Sequence, residues 1–368
     1  MKVGIITITT GANYGNRLQH FAVRTILERL GCETITISNA GNCPPLKEKI
    51  YTSIKGIIKR ALKKSNYLYL NRRNKFANFN DKYFEFSKEV VRDKDFNCNN
   101  YDFLVCGSDQ IWNLNFWFTR IGYRYYFAEF APEEKRIAYS ASIGSEDIPD
   151  ECKADFTRLV QEMKAISVRE ENARDVIKTL TGRHVQVTVD PTLMISKSEW
   201  LEIAKKPKYV KKNERFILTY FLGEYSSEVE AYITTISQTY NFQVINLYNE
   251  YIEPSKIKNK DYFCTDPSEF IWLISNCELM MTDSFHGCIF SMIMDKPFRC
   301  FSRMDSESNM SSRMDTLFKK FNVSDWCIGD INEDIEHVFY KDYSDFESTL
   351  KKEQDFAYDY LKGALDIK

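Results

Sequence analysis

Apolar residues in this chain come in short β-branched runs that alternate with stretches where they recur every three or four positions, the pattern of buried strands and one-sided helices taking turns. Residues 2–9 form the first run. A Gly- and Asn-rich turn over 10–17 follows, then a helix with Leu18, Phe21, Ala22, Ile26 and Leu30 on one side, stopped by Gly31. The run at 34–38 completes a βαβ unit. After an interruption the rhythm resumes, with strands expected at 101–106, 136–143 and 165–168, a helix near 153–163, and a strand at 185–189 closed by Asp190-Pro191-Thr192. A second set runs from strand 216–221 through helix 228–240, strand 243–247 and helix 269–276 to a strand and helix over 278–294. A strand at 298–301, a helix start at 309–313 and a long amphipathic helix over 345–365 close the chain.

Two α/β sets in succession imply two Rossmann-like domains with a cleft between them. The charged, lysine-rich stretch 196–213 marks the boundary, giving a first domain over 1–195, a second over 214–343 and a C-terminal helix over 344–368. Such a division suits 368 residues, too many for one ordinary core. The interruption at 43–84 is strongly basic, and Ile50, Ile54, Ile57, Ile58 and Leu62 fall at helical spacing between its lysines and arginines. A basic amphipathic helix can lie on an anionic membrane. A helical insertion packed on the first domain with its charges solvated is the preferred alternative.

With 43% hydrophobic and 28% charged residues the composition is that of a globular chain, and a net charge of −2 gives no reason to expect nucleic acid. The first residues lack the pattern of a signal peptide and no apolar run approaches membrane-spanning length, so a cytoplasmic protein is expected. Ten scattered cysteines without a Cys-x-x-Cys pair suggest reduced, buried thiols and no metal site.

Candidate chemistry begins at the strand-to-helix turn that carries His286. Ligands bind at the carboxyl ends of strands in open α/β sheets, and an imidazole there can move a proton near neutral pH. A histidine that merely caps the turn is an equal alternative. The loop from Gly11 to Gly15 opens a helix as a phosphate cradle would, without a G-x-G-x-x-G or P-loop pattern, so a sugar or phosphate contact and a plain tight turn both stand. Arg169 falls at the tip of a strand, and residues 107–113 form a polar loop with one indole, Trp112.

Taken together, six stretches resemble the polysaccharide pyruvyl transferase family: Gly11-Ala12-Asn13-Tyr14-Gly15-Asn16, Gly107 to Asn113, Ser167-Val168-Arg169, Asp190-Pro191, Ser284 to Gly287 and Asn309 to Arg313, in the expected order. The resemblance implies a GT-B-like fold and transfer of an enolpyruvyl group from phosphoenolpyruvate to two hydroxyls of one sugar, with no cofactor and no metal. It assigns His286 and Arg169 to catalysis and Arg169, Ser284, His286, Gly287 and Arg313 to the donor, on the second domain's side. Asn13, Tyr14, Asn16, Asp109, Gln110, Trp112 and Asn113 fall on the acceptor side. Asp109 or Asp190 could take a sugar hydroxyl proton or serve as caps, and an ion pair is the alternative role for Arg169. Many members carry Arg where this chain has Ser284, so Arg299, Arg303 or Arg313 would have to substitute. The family's setting makes a lipid-diphosphate-linked acceptor at the inner membrane face an expectation, with peripheral contact through 43–84. Two other readings compete. One is a GT-B glycosyltransferase using a nucleotide sugar, although the sole Asp-x-Asp, Asp93-Lys94-Asp95, looks like surface loop. The other is a non-catalytic sugar-binding or membrane assembly partner.

Overall fold

The computed structural model describes residues 1–39, 64–91, 96–116, 119, 122–303 and 311–368. The first half is built on seven parallel strands: β1 (Lys2–Ile6), β2 (Glu33–Asn39), β3 (Phe86–Val91), β4 (Phe103–Asp109), β5 (Arg136–Ala141), β6 (Ala165–Val168) and β7 (Gln186–Val187). Their order is β3-β2-β1-β4-β5-β6-β7, with Val3 opposite Phe103 and Ile5 opposite Val105 in the central pair. Helices α1 (Tyr14–Arg29), α2 (Lys64–Tyr83), α3 (Asp150–Gln161), α4 (Glu171–Thr181) and α5 (Lys197–Ile203) accompany them. The winding direction reverses between β1 and β4, and at such a switch point the loops that follow the two strands diverge and leave a crevice.

The second half repeats the design with four parallel strands: β8 (Phe216–Tyr220), β9 (Gln243–Leu247), β10 (Leu279–Thr282) and β11 (Phe298–Cys300), in the order β11-β10-β8-β9. Here the reversal lies between β8 and β10. Helices α6 (Ser227–Tyr240), α7 (Lys260–Phe263), α8 (Pro267–Asn276), α9 (Phe285–Ile293), α10 (Ser311–Lys320), α11 (Ser324–Cys327) and α12 (Phe346–Ala364) complete it. The central strands of both sheets are buried on both faces, which explains their unbroken apolar runs.

The two halves are packed together. One hydrophobic core contains Tyr14, Leu18 and Phe21 of α1 together with Tyr220, Phe270 and Phe290 of the second half. Tyr14 stacks on Phe270 with ring centres 4.5 Å apart. Trp200 of α5, within the stretch read as a boundary, is buried between Phe21 and Phe290. Helix α12 leaves the second half and returns to the first: Tyr360 donates to the Ala138 carbonyl (2.6 Å), Gln354 to that of Leu193 (2.7 Å), and the Ala364 carbonyl accepts from Lys164 (2.7 Å).

The basic segment 43–84 falls partly outside the described residues, which resume at 64. Over α2 the charges do not all face solvent. Arg72, 1% exposed, donates to the carbonyls of Phe263 (2.5 Å) and Ala12 (2.8 Å), and Lys75 pairs with Glu269 of α8 at 3.0 Å. This stretch therefore packs on protein and bridges the halves, so the membrane reading is corrected for Arg72 and Lys75. Among the described residues no helix is long and apolar enough to cross a membrane.

Candidate active site

The turn that presents His286 is locked by its own residues. Asp283, at the end of β10, accepts the N–H groups of Leu222 (2.6 Å) and Gly223 (2.8 Å), tying β10 to β8 at the switch point. Thr282 donates to the Tyr220 carbonyl and accepts the Ser284 N–H. The Ser284 hydroxyl caps α9 by accepting the Gly287 N–H at 3.3 Å. A side chain at 287 would bring its Cβ to 2.8 Å from the Thr282 hydroxyl, so glycine is the residue that fits there. Of the groups expected to touch the donor, Ser284 is thus a helix cap and Gly287 a packing requirement. His286 stands in the first turn of α9, 7% exposed.

The first half brings three charged groups to this imidazole from three strand ends. Asp190 Oδ2 lies 3.4 Å from His286 Nε2 and accepts from Arg169 Nη1 at 2.7 Å. Its Oδ1 takes the N–H (2.9 Å) and hydroxyl (2.6 Å) of Thr192, capping the turn Pro191–Met194. Burial alone would raise this carboxyl, but His286, Arg169 and Thr192 together hold it far below the usual carboxylate range. Asp109, in left-handed backbone at φ +71°, completes the cluster, with Oδ1 3.3 Å from Arg169 Nη2 and Oδ2 accepting from Asn16. The ion pair proposed as the alternative for Arg169 is therefore formed. Burial opposes its charge, and Asp190, Asp109 and Glu170 more than compensate.

A second guanidinium stands close by. Arg169 lies 4.5 Å above the Phe285 ring and Arg313 of α10 lies 5.6 Å from its centre. Burial first and the neighbouring Arg169 charge second push Arg313 down to about 10. Arg303 donates to Asp283 at 2.8 Å. Arg299 is engaged elsewhere, clamped on Glu333 at 2.7 and 2.8 Å, so of the cations considered as substitutes for the missing arginine only Arg303 and Arg313 adjoin the site. Asn309 and Asp93-Lys94-Asp95 fall outside the described residues.

The expected acceptor residues divide. Asn13 and Asn16 are half-buried: Asn13 caps α1 by accepting the Asn16 N–H at 3.3 Å, and Asn16 reaches Asp109. Tyr14 is corrected to a core aromatic, fully buried, with its hydroxyl on the Thr265 carbonyl at 3.2 Å. Trp112 is corrected likewise. Its indole is 0% exposed, stacks on Phe127 at 4.7 Å and donates to the Tyr126 carbonyl, which leaves no face for a sugar. Gln110 and Asn113 hydrogen-bond each other at 2.8 Å and shape the loop.

Three participants escape a reading of the sequence. Gly15 packs directly on the His286 ring, where any Cβ would overlap the imidazole. Phe285 floors the two guanidiniums. Glu170 is buried and accepts from Ser142 Oγ (3.0 Å) and the N–H groups of Ile143 (2.9 Å) and Gly144 (3.1 Å). The signals were present, since Gly15 lies inside the first motif and Phe285 beside the histidine. Only the folded chain supplies what each of them touches.

Chemically, the seam between the halves holds an imidazole whose Nε2 faces a permanent carboxylate, next to two stacked guanidiniums. A carboxylate held that far down is a weak base, so Asp190 is placed to orient His286 rather than to deprotonate a hydroxyl. The groups are less than 10% exposed, so the cleft expected between the domains is closed on them.

Comparison with known proteins places this geometry in context. A family model described as polysaccharide pyruvyl transferase matches residues 13–306, a span that takes in Asp109, Arg169, Asp190 and His286. Among curated proteins none matches. Solved structures that resemble the chain include S. aureus MnaA in complex with UDP, with a TM-score of 0.52 at 10% identity, covering 100% of this chain and 97% of that one. UDP-N-acetylglucosamine 2-epimerase from Rickettsia bellii scores 0.49 at 9% identity, with 100% and 97% covered. MurG from Acinetobacter baumannii scores 0.42 at 8% identity, with 98% and 94% covered. The first of these likenesses supports the fold, two Rossmann-like domains of the GT-B type, and carries nothing about the reaction.

Proposed function

Because the chain belongs to the polysaccharide pyruvyl transferase family, we propose that it transfers the enolpyruvyl group of phosphoenolpyruvate to two hydroxyls of one sugar, giving a cyclic pyruvate ketal and inorganic phosphate. The observation that carries this reading is the pairing of His286 from one half with Asp190 from the other, 3.4 Å apart beside the Arg169–Phe285–Arg313 stack.

His286, faced by Asp190, delivers a proton to C3 of the donor. C2 becomes oxocarbenium-like and bonds to the first sugar hydroxyl, whose proton returns to the now neutral ring. The C2–O bond to phosphate then breaks, the second hydroxyl oxygen bonds to C2, and its proton leaves with the phosphate. Arg313, aided by Arg303, offers the fork that phosphate and carboxylate require. Arg169 is matched by two aspartates, so its main part is to position Asp190; its Nε, without a hydrogen-bond partner among the described residues, is left for the donor. Asn13, Asn16 and Asp109 form the acceptor side. A lipid-diphosphate-linked sugar at the inner membrane face, approached through the basic residues before α2, fits this scheme.

Calorimetry with phosphoenolpyruvate, phosphate and nucleoside diphosphates tests the reading. Binding of phosphoenolpyruvate that Arg313→Gln loses supports it. Binding of a uridine or guanosine diphosphate alone would replace it with a nucleotide-sugar glycosyltransferase, and silence from all of them would favour the non-catalytic partner.

A further inference from the structure

The loop between β1 and α1 carries contacts that this chemistry does not use. Glu250, just beyond β9 in the second half, reaches across to the first: its Oε2 accepts the Ala12 N–H at 2.7 Å. Its Oε1 lies against Gly11, at φ +76°, where any Cβ would overlap it. Under the same loop sits Arg17, 2% exposed. Its Nη2 donates to the carbonyls of Thr9 (2.7 Å) and Gly11 (2.6 Å), while Nε and Nη1 are buried without a hydrogen-bond partner among the described residues. Burial pushes this guanidinium down to about 10, and the charge of Glu250 works in the other direction. Helix α1 has no acidic residue in its first turn, so its dipole is also unmatched there. The loop thus has the surroundings of an anion site, and the anion it holds is a side chain from the opposite half.

We propose that residues 11–13, backed by Arg17, form a second anion subsite for the phosphate or diphosphate through which an acceptor sugar is linked, and that Glu250 is its built-in stand-in, displaced when that ligand enters. The proposal rests on the reaction above only for the identity of the molecule that bears the anion. Because Glu250 belongs to the second half, its displacement releases one of the contacts that close the seam, so ligand entry and opening are one event.

The test is calorimetry of inorganic pyrophosphate with the wild type, Glu250→Ala and Glu250→Ala/Arg17→Gln, with folding followed by thermal melts. Glu250→Ala should bind at least about tenfold more tightly, since a competing carboxylate is gone, and the double variant should lose that gain. Equal or weaker binding by Glu250→Ala overturns the proposal, as does a gain that survives loss of Arg17. Should Arg17→Gln fail to fold, Arg17→Lys serves; it keeps the charge without the fork, and the gain should shrink. Phosphoenolpyruvate titrated into the same variants separates the two claims. A pyrophosphate gain without phosphoenolpyruvate binding keeps the subsite and removes the ketal reaction, and the reverse result does the opposite. A gain shared by UDP but not by farnesyl diphosphate assigns the subsite to a nucleotide-linked acceptor, and the converse to a lipid-linked one.

Discussion

The turn that presents His286 and the cluster that faces it are built in opposite ways. The turn is built from two paired strand ends: Thr282, Asp283, Ser284 and Gly287 fix it through contacts within three residues or with the end of β8, which pairs directly with β10. The cluster is assembled from afar, with Arg169 joined to Asp109 over 60 residues and to Asp190 over 21. A local turn tolerates change elsewhere and keeps its shape, whereas a charge cluster of distant parts fails as a unit when one partner is lost. His286 therefore rides on a stiff mount and faces a carboxylate supplied by the other half.

Several substitutions would sharpen or break that contrast. The largest effect is expected from His286→Ala, with turnover down about 10²–10⁴-fold. The thermal melt should be little changed, because the mount does not depend on the ring. An unfolded His286→Ala would contradict the local character of the turn. Asp190→Asn should cost about 3–5 kcal/mol in chemical denaturation, the range for breaking a buried pair. Turnover should fall with it.

That cost has a predictable pH dependence. The folded carboxyl titrates below its unfolded value of about 3.9, so its contribution is fully present above that value and is lost as pH falls through the folded range. The gap between wild type and Asp190→Asn should be level from about pH 5 to pH 8 and should close only in acid. A gap that already closes as the pH falls from about 7 to 5 would mean that Asp190 is not held ionised. Gly15→Ala should cost about 1–3 kcal/mol through its clash with His286, and more in turnover than in stability. The smallest effect belongs to Ser284→Ala, about 0.5–2 kcal/mol for a lost cap, with the affinity for phosphoenolpyruvate unchanged. A fall in that affinity would restore Ser284 to the donor site.

The same contrast explains what could be read in advance. The βαβ rhythm and the position of His286 at a strand-to-helix turn depend on neighbours in sequence and were legible there. Trp112 and Tyr14 misled because they lie within motifs whose polar neighbours point to the acceptor side. Their burial is decided by Phe127, fifteen residues on, and by Phe270 in the other half. For Arg169 the choice between ligand and ion pair turned on Asp109 at the end of β4 and Asp190 beyond β7 both reaching the guanidinium beyond β6, which is a property of the folded sheet and not of any motif. Arg72 looked like a solvated or membrane-facing charge until α7 supplied the carbonyl that it binds.

Helix α12, which starts on the second half and ends on the first, bears on how the molecule can be handled. A cut near residue 213 would separate the sheets but would strip α12 from the first half, leaving the Ala138 carbonyl and the Tyr139 ring without Tyr360. The halves are therefore poor candidates for expression as separate pieces. A fluorophore attached at the last residue would report on the first half although the chain has just left the second, so a dye pair meant to follow opening needs its second label on α6 or beyond β9.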